Sequence, residues 1–205
     1  MLSLLRHAQL RNIIPTPPDW EKAFGAAAPV EVDLGCGRGD YAWQRAAGFP
    51  HIHVVALETR KKWITRLRQR CRQAGVENLR AIRCDATQDL PVLFAPDSVW
   101  GFTIHHPDPW WKKRHHKRRL VRPEVVRQMA VILRPGGFVY VQTDVPDLAV
   151  EIRSVLDACR QFHELPAESF RREQLGGLQS HREKKCLRLG IPVQRLAYRL
   201  GDLEP

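Results

Sequence analysis

The chain has no apolar run approaching the roughly 20 residues that cross a bilayer. Its opening stretch, Met1–Ile14, contains leucines but is broken by Arg6, His7, Gln9, Arg11 and Asn12, so it lacks the apolar core of a secretory leader. No CxxC pair occurs among the five cysteines, Cys36, Cys71, Cys84, Cys159 and Cys186, which are odd in number and widely spaced. A zinc ribbon and a disulfide framework are therefore not expected, and a reducing cytoplasm is. No repeat or low-complexity tract is visible. Acidic residues are also in short supply, 22 against 33 Lys and Arg, for a formal charge of +11. That excess repels itself in a compact fold, and a polyanionic partner is the natural reading.

What is present is a globular pattern, 43% hydrophobic over 205 residues. Short apolar runs alternate with amphipathic stretches. Strands are expected at Pro29–Leu34, His53–Leu57, Leu79–Arg83, Ser98–Ile104 and Phe138–Thr143, with two later ones at Phe162–Leu165 and Val193–Leu200. Helices are expected at Asp40–Ala47 (capped by Asp40), Lys61–Ala74 (ended by Gly75), Pro123–Leu133 and Pro146–Cys159. Arg134–Gly137 reads as a turn and Ala167–Gly190 as an exposed basic loop. The implied fold is a Rossmann-like, doubly wound α/β domain with a mostly parallel seven-stranded sheet covered on both faces. Residues 1–28 read as an N-terminal arm and residues 29–205 as a single domain, as monomer or homodimer.

The first strand runs into Glu31-Val-Asp-Leu-Gly-Cys-Gly-Arg-Gly39. Gly35, Gly37 and Gly39 allow a tight turn and close approach of a ligand. Dinucleotide folds use G-x-G-x-x-G and seat a pyrophosphate on the helix start. Here Asp40 stands at that start and would repel a phosphate, so a cationic, phosphate-free ligand fits better. Glu58 ends the second strand 19 residues after Gly39 and is placed to accept ribose hydroxyls. Asp85 follows the third strand, where an acid can receive an adenine amino group. Each acid alone reads equally well as a solvated strand end; together they describe a nucleoside pocket.

After the fourth strand comes Ile104-His-His-Pro-Asp-Pro-Trp-Trp-Lys-Lys-Arg-His-His-Lys-Arg-Arg119. Ligands bind beyond the carboxyl ends of parallel strands, which places Asp108 in the same crevice, stiffened by Pro107 and Pro109. Residues 112–119 hold six Lys/Arg and two His beside Trp110 and Trp111, a combination suited to phosphates and bases. A merely solvated charged loop is the plainer alternative. A metal site among the histidines and Asp108 is disfavoured by the surrounding cations and the lack of helical His spacing. His105 and His106 read as packing or hydrogen-bonding groups at the strand end.

These residues together resemble the bacterial tRNA (guanine-N7-)-methyltransferases: Glu-x-x-x-Gly-x-Gly-x-Gly, a strand-end Glu, Asp-Ala, then Pro-Asp-Pro-Trp-x-Lys-x-Arg-His-x-Lys-Arg-Arg. The resemblance covers Val30 to Tyr198. It implies a class I methyltransferase fold, S-adenosylmethionine as methyl donor, and N7 of a guanine in the tRNA variable loop as acceptor. The donor-binding acids it implies are Glu31, Glu58, Asp85 and Asp108, with Asp108 also the active-site residue. Its substrate-contacting positions fall on Lys112 and Asp144, and its late Thr-x-x-Glu motif on Ser180 and Glu183, Ser standing for Thr. Arg114, Lys117, Arg118 and Arg119 complete the expected RNA contacts. His105-His106 replaces the family's usual aromatic or Asn-Phe pair. Another nucleic-acid methyltransferase, on rRNA or an exocyclic amine, and a non-catalytic RNA-binding module are the rival readings. A nicotinamide-dependent oxidoreductase is disfavoured by Asp40 and the glycine spacing.

Overall fold

A computed structural model describes residues 16–201, the Lys113 side chain excepted. Val30–Leu34 (β1) and His53–Glu58 (β2) are buried at every position, as strands covered on both faces must be. With Leu79–Arg83 (β3), Val99–His105 (β4), Leu133–Thr143 (β5), Phe162–Leu165 (β6) and Gln194–Leu200 (β7) they form one seven-stranded sheet. The order is β3-β2-β1-β4-β5-β7-β6. Strands β1 to β5 are parallel neighbours; β7 runs antiparallel to both β5 and β6. The chain steps outward from β1 to β3, then returns beside β1 with β4. The crevice beyond the ends of β1 and β4 is thus the topological switch point where α/β sheets bind ligands.

Helices Trp20–Phe24 (α1), Asp40–Gly48 (α2), Lys61–Ala74 (α3), Ala86–Leu93 (α4), Pro123–Ile132 (α5), Pro146–Asp157 (α6), Ala167–Glu173 (α7) and His181–Arg188 (α8) cover the sheet. One large apolar cluster under α4, α5 and α6 fills one face, and a second beneath α2 and α3 fills the other. In α3, Ile64, Leu67 and Cys71 form the buried stripe and Gly75 closes the helix in the left-handed conformation.

The arm expected over residues 1–28 is described only in its second half. Residues 1–15 lie outside the described residues, but α1 is docked: Asp19 caps it, Trp20 is buried and donates to Leu93 O at 2.9 Å, and Phe24 stacks on His53. Two expectations change. Ala167–Gly190 is not a loop but carries α7 and α8. Their inward residues include Glu183, Cys186 and Phe170, too few and too polar to give an apolar period. Asp40 does not cap α2; Gly39 does, and Asp40 is the first helical residue.

Candidate active site

The switch point opens into two lobes, one of about 510 Å³ and one of about 420 Å³, and both are lined by Gly35, Arg60, His106, Pro107 and Asp108. Asp108 therefore stands where they meet. The smaller lobe adds Glu58, Asp85, Trp110 and Arg118; the larger adds Asp33, Tyr41, Trp63 and Asp144.

The local chain explains how Asp108 is held. As the residue before a proline it is confined to extended backbone. The flanking His106 and Trp110 both have positive φ, +51° and +45°, unusual for residues bearing a Cβ. The turn is clamped by His106 N–H donating to Gln142 O at 2.7 Å and by Arg119 donating to Pro109 O at 2.8 Å. Two left-handed residues bracketing a proline-framed carboxylate are backbone strain of the kind that concentrates at functional sites.

The acids separate into three groups. Glu58 sits at the mouth of the smaller lobe: its Oε2 accepts Gly37 N–H at 3.1 Å, and its Oε1 accepts Arg60 N–H and the Thr59 hydroxyl. Arg60 Nε adds a third donor to Oε1 at 3.3 Å, so it is Oε2, with Gly37 N–H as its one partner, that keeps capacity for a ligand hydroxyl. Asp85 caps α4 through Thr87 and is exposed to the same lobe. Asp33 faces the larger lobe, fully buried, with one weak partner, the Thr103 hydroxyl at 3.5 Å. Burial pushes its pKa up to about 7, against the Thr103 hydrogen bond, and nearby Glu58 adds to the rise.

Glu31 is not in the crevice. Its side chain is 3% exposed and forms a bidentate pair with Arg45 of α2, at 2.6 and 2.8 Å, further back along β1 from the glycine turn. The acid that β1 presents to the larger lobe is Asp33, on the same face of the strand as Glu31 but two residues nearer its carboxyl end, where the lobe opens. Gly39 lines neither lobe. With φ at +74°, it brings α2 against α3 so closely that a Cβ would lie 2.5 Å from Leu67 Cδ2.

Asp144 follows β5 into the larger lobe. One carboxylate oxygen accepts from His106 Nδ1 at 2.8 Å, the other from Arg182 Nε at 3.2 Å and from its Nη2. Burial alone would raise its pKa, but the Arg182 and His106 hydrogen bonds outweigh it and hold the carboxyl at about 2. Burial lowers the His106 pKa despite Asp144, so His106 is neutral at pH 7. Its other nitrogen meets Gln142 Nε2 at 3.3 Å. Cys186 lies near enough to complete a three-donor group with His106 and Asp144, but the Arg182 guanidinium already supplies the cation there. The His105 ring lies tilted against Tyr41, centroids 4.0 Å apart, and burial drives its pKa down to about 3. Both its ring nitrogens and the Tyr41 hydroxyl are buried without partners beside the larger lobe, leaving polar capacity for a bound molecule.

The remaining expected substrate residues divide. Ser180 lines the larger lobe and caps α8, accepting Glu183 N–H at 3.2 Å and a hydrogen bond from Gln142. Glu183 itself is fully buried, its carboxylate accepting from Arg195 and Gln142 with Arg171 beside it, and it lines neither lobe. Lys112, Arg114, Lys117 and Arg118 are exposed, and Arg118 stacks on Trp110. Arg119 is a tether, its side chain 12% exposed and engaged by Pro109 O and Glu151. Trp111 is 70% exposed at the rim.

Three comparisons with known proteins agree with this geometry. A family model described as "Putative methyltransferase" matches residues 27–196. A tRNA (guanine-N(7)-)-methyltransferase of Myxococcus xanthus is 36% identical over 88% of this chain and 87% of its own length. One of a Synechococcus strain is 34% identical over 92% and 79%. Among solved structures, the 16S rRNA methyltransferase KamB superposes with a TM-score of 0.67 at 20% identity, over 90% of this chain and 94% of that one. The [4+2]-cyclase SpnF also superposes, at 0.58 and 14% identity over 85% and 75%, so the fold alone does not fix the chemistry. Identity at this level and coverage does: the chain belongs to the tRNA (guanine-N7-)-methyltransferase family.

Proposed function

We propose that this chain transfers a methyl group from S-adenosylmethionine to N7 of a guanine in tRNA, the variable-loop guanine that its sequence resemblance implies. The observation that carries the reading is Asp108, fixed at the junction of a nucleoside-shaped lobe and a lobe that ends on Asp144. Glu58 and Asp85 would hold the ribose and adenine, and Asp33, with the turn at Gly35 and Gly37, the cationic methionine end. When bound, the donor supplies an electrophilic methyl on a sulfonium.

Guanine N7 carries a lone pair and no proton at neutral pH, so the protein needs no strong base there. Its task is alignment for in-line displacement. Positive charge develops on the purine as the methyl arrives, and the Asp108 carboxylate stabilises it while accepting N–H groups of the base edge. Asp144 offers a second carboxylate. Arg182, which lines the same lobe, now holds one of its oxygens, so a guanine edge reaching Asp144 competes with it. The rim cations Arg114, Lys117 and Arg118, with Trp110 and Trp111, take the RNA backbone and unpaired bases.

The direct test incubates the protein with labelled donor and unmodified tRNA and identifies the methylated nucleoside. N7-methylguanosine in tRNA is expected; a methylated exocyclic amine, or label entering rRNA alone, overturns the reading. Two further results follow from the site. Donor affinity should rise about tenfold per pH unit up to about 7 and level off above, because only ionised Asp33 attracts the cationic ligand. Titration calorimetry from pH 6 to 8.5 checks this, and a flat profile removes Asp33 from the donor site. Charge reversal at Arg114, Lys117 and Arg118 should lower the slope of log affinity for tRNA against log salt by about 2 to 3, at 0.7–0.9 per lost phosphate contact. An unchanged slope means the run is only solvated.

A further inference from the structure

Helix α3 carries a charge pattern that its own fold does not need. Its 14 residues include Lys61, Lys62, Arg66, Arg68, Arg70 and Arg72 and no acid. Lysines fill its first turn, against the helix dipole, and its N-cap, Arg60, makes no side-chain cap. Lys62, Arg66 and Arg70 follow one another at four-residue spacing, so like charges adjoin on a single ridge at a cost of about 0.2–0.5 kcal/mol per pair. Two of the six cations are used within the fold: Arg70 pairs with Asp40 at 3.0 Å, and Arg68 donates to Ala81 O. Among the described residues, Lys61, Lys62, Arg66 and Arg72 pair with no carboxylate, and all four are exposed.

The ridge is continuous with the site. Trp63, half-buried at the mouth of the larger lobe, has three cations over its ring: Lys62 at 4.7 Å, Arg66 at 5.2 Å and Arg38 at 5.3 Å. Arg38 and Arg60 line the same lobe. An aromatic face ringed by cations, leading into a row of unneutralised ones, is the combination that holds a nucleic-acid strand by stacking and phosphate contact together. It flanks the lobe that Trp111 also lines, so the mouth is bordered by α3 as well as by the basic run at residues 112–119.

We infer that the Lys62–Arg66 ridge of α3, with Trp63 at its foot, is a second RNA-binding surface that receives the backbone of the substrate tRNA beside the reacting base. The inference rests on the proposed function for the choice of tRNA as its ligand. A polyanion along the ridge removes the like-charge cost and gives the tRNA two contact lines, which fixes its orientation across the mouth.

The test uses Lys62→Glu/Arg66→Glu and the milder Lys62→Gln/Arg66→Gln in the full chain, neither residue lining a lobe. Unmodified tRNA binding is titrated over a salt series, beside donor affinity and thermal stability. Expected are wild-type donor binding, an unfolding temperature equal to or above wild type, and tRNA binding about tenfold weaker for the Glu pair. Both pairs should lose about 1.4–1.8 from the salt slope, two contacts at 0.7–0.9 each. In turnover, KM for tRNA should rise with kcat near wild type. Unchanged tRNA affinity and slope in both variants overturns the inference, whether the ridge is merely solvated or takes an acidic protein. Product analysis of the wild-type reaction separates this outcome from failure of the proposed function: a wild type that makes no N7-methylguanosine refutes the latter, whereas unaltered binding by the variants of an active enzyme refutes only the ridge.

Discussion

Asp108→Ala should reduce methyl transfer about 100- to 1000-fold, the usual cost of removing one preorganised electrostatic group from a transition state, while donor binding stays measurable by calorimetry. The expectation follows from how the carboxylate is held. Pro109 confines its backbone, His106 and Trp110 take left-handed conformations on either side, and main-chain carbonyls of Gln142 and Pro109 are bonded across the turn. No side chain within that clamp depends on the Asp108 carboxylate for a hydrogen bond among the described residues, so its loss should leave the turn in place. Asp108→Asn separates charge from shape: an amide keeps the size but turns one acceptor into donors, and it should lose nearly as much rate as alanine. Single-turnover methylation at saturating donor and tRNA gives the comparison. Near-wild-type rates in both variants would show that the proline-framed acid only shapes the pocket.

The strand positions and the placement of the crevice were legible because β1 and β2 are buried throughout and β3 to β5 over most of their length, so each reads as a short apolar run. The place of Asp108 in the crevice was legible because two prolines frame it in the segment that follows β4. Helices α4, α7 and α8 were not. Each has only about two turns, α4 contains Pro91, and α8 turns Glu183 and Cys186 inward. A buried carboxylate satisfied by two arginines looks, in a sequence, like an exposed one. The same physics hid the roles of the two acids of β1: Glu31 and Asp33 are both buried and both on the strand that leads to the glycine turn, and only the position of Arg45 in space tells them apart. The spacing held a clue, since Asp33 stands one residue before Leu34 and the turn while Glu31 is three before it. The α3 ridge was visible as arginines on several helix faces, but its meaning depended on Trp63, Arg38 and Arg60 being brought to the lobe.

That distinction yields the second large effect. Glu31→Ala should destabilise the protein by about 3–5 kcal/mol, the usual result of stranding one partner of a buried ion pair, and leave donor affinity per folded molecule unchanged. Arg45 lies 2% exposed, its guanidinium 4.1 Å over the Phe49 ring, and its Nη1 already lacks a partner. Without Glu31 it is an uncompensated charge in the interior. At about 2–4 °C per kcal/mol for a domain of this size, the unfolding temperature should fall by roughly 6–20 °C. Glu31→Ala combined with Arg45→Met, which removes the charge and keeps the chain's bulk, should recover most of that loss. Asp33→Asn should behave in the opposite way. An acid whose folded pKa is raised to about 7 weakens the fold progressively as pH rises from its unfolded value of about 3.9 through 7; the amide removes that penalty, so stability at pH 8 should hold or rise while donor affinity drops. Thermal unfolding and donor calorimetry on the two single variants decide the matter. An Glu31→Ala protein that melts like wild type but no longer binds donor would return Glu31 to the ligand site and displace Asp33 from it.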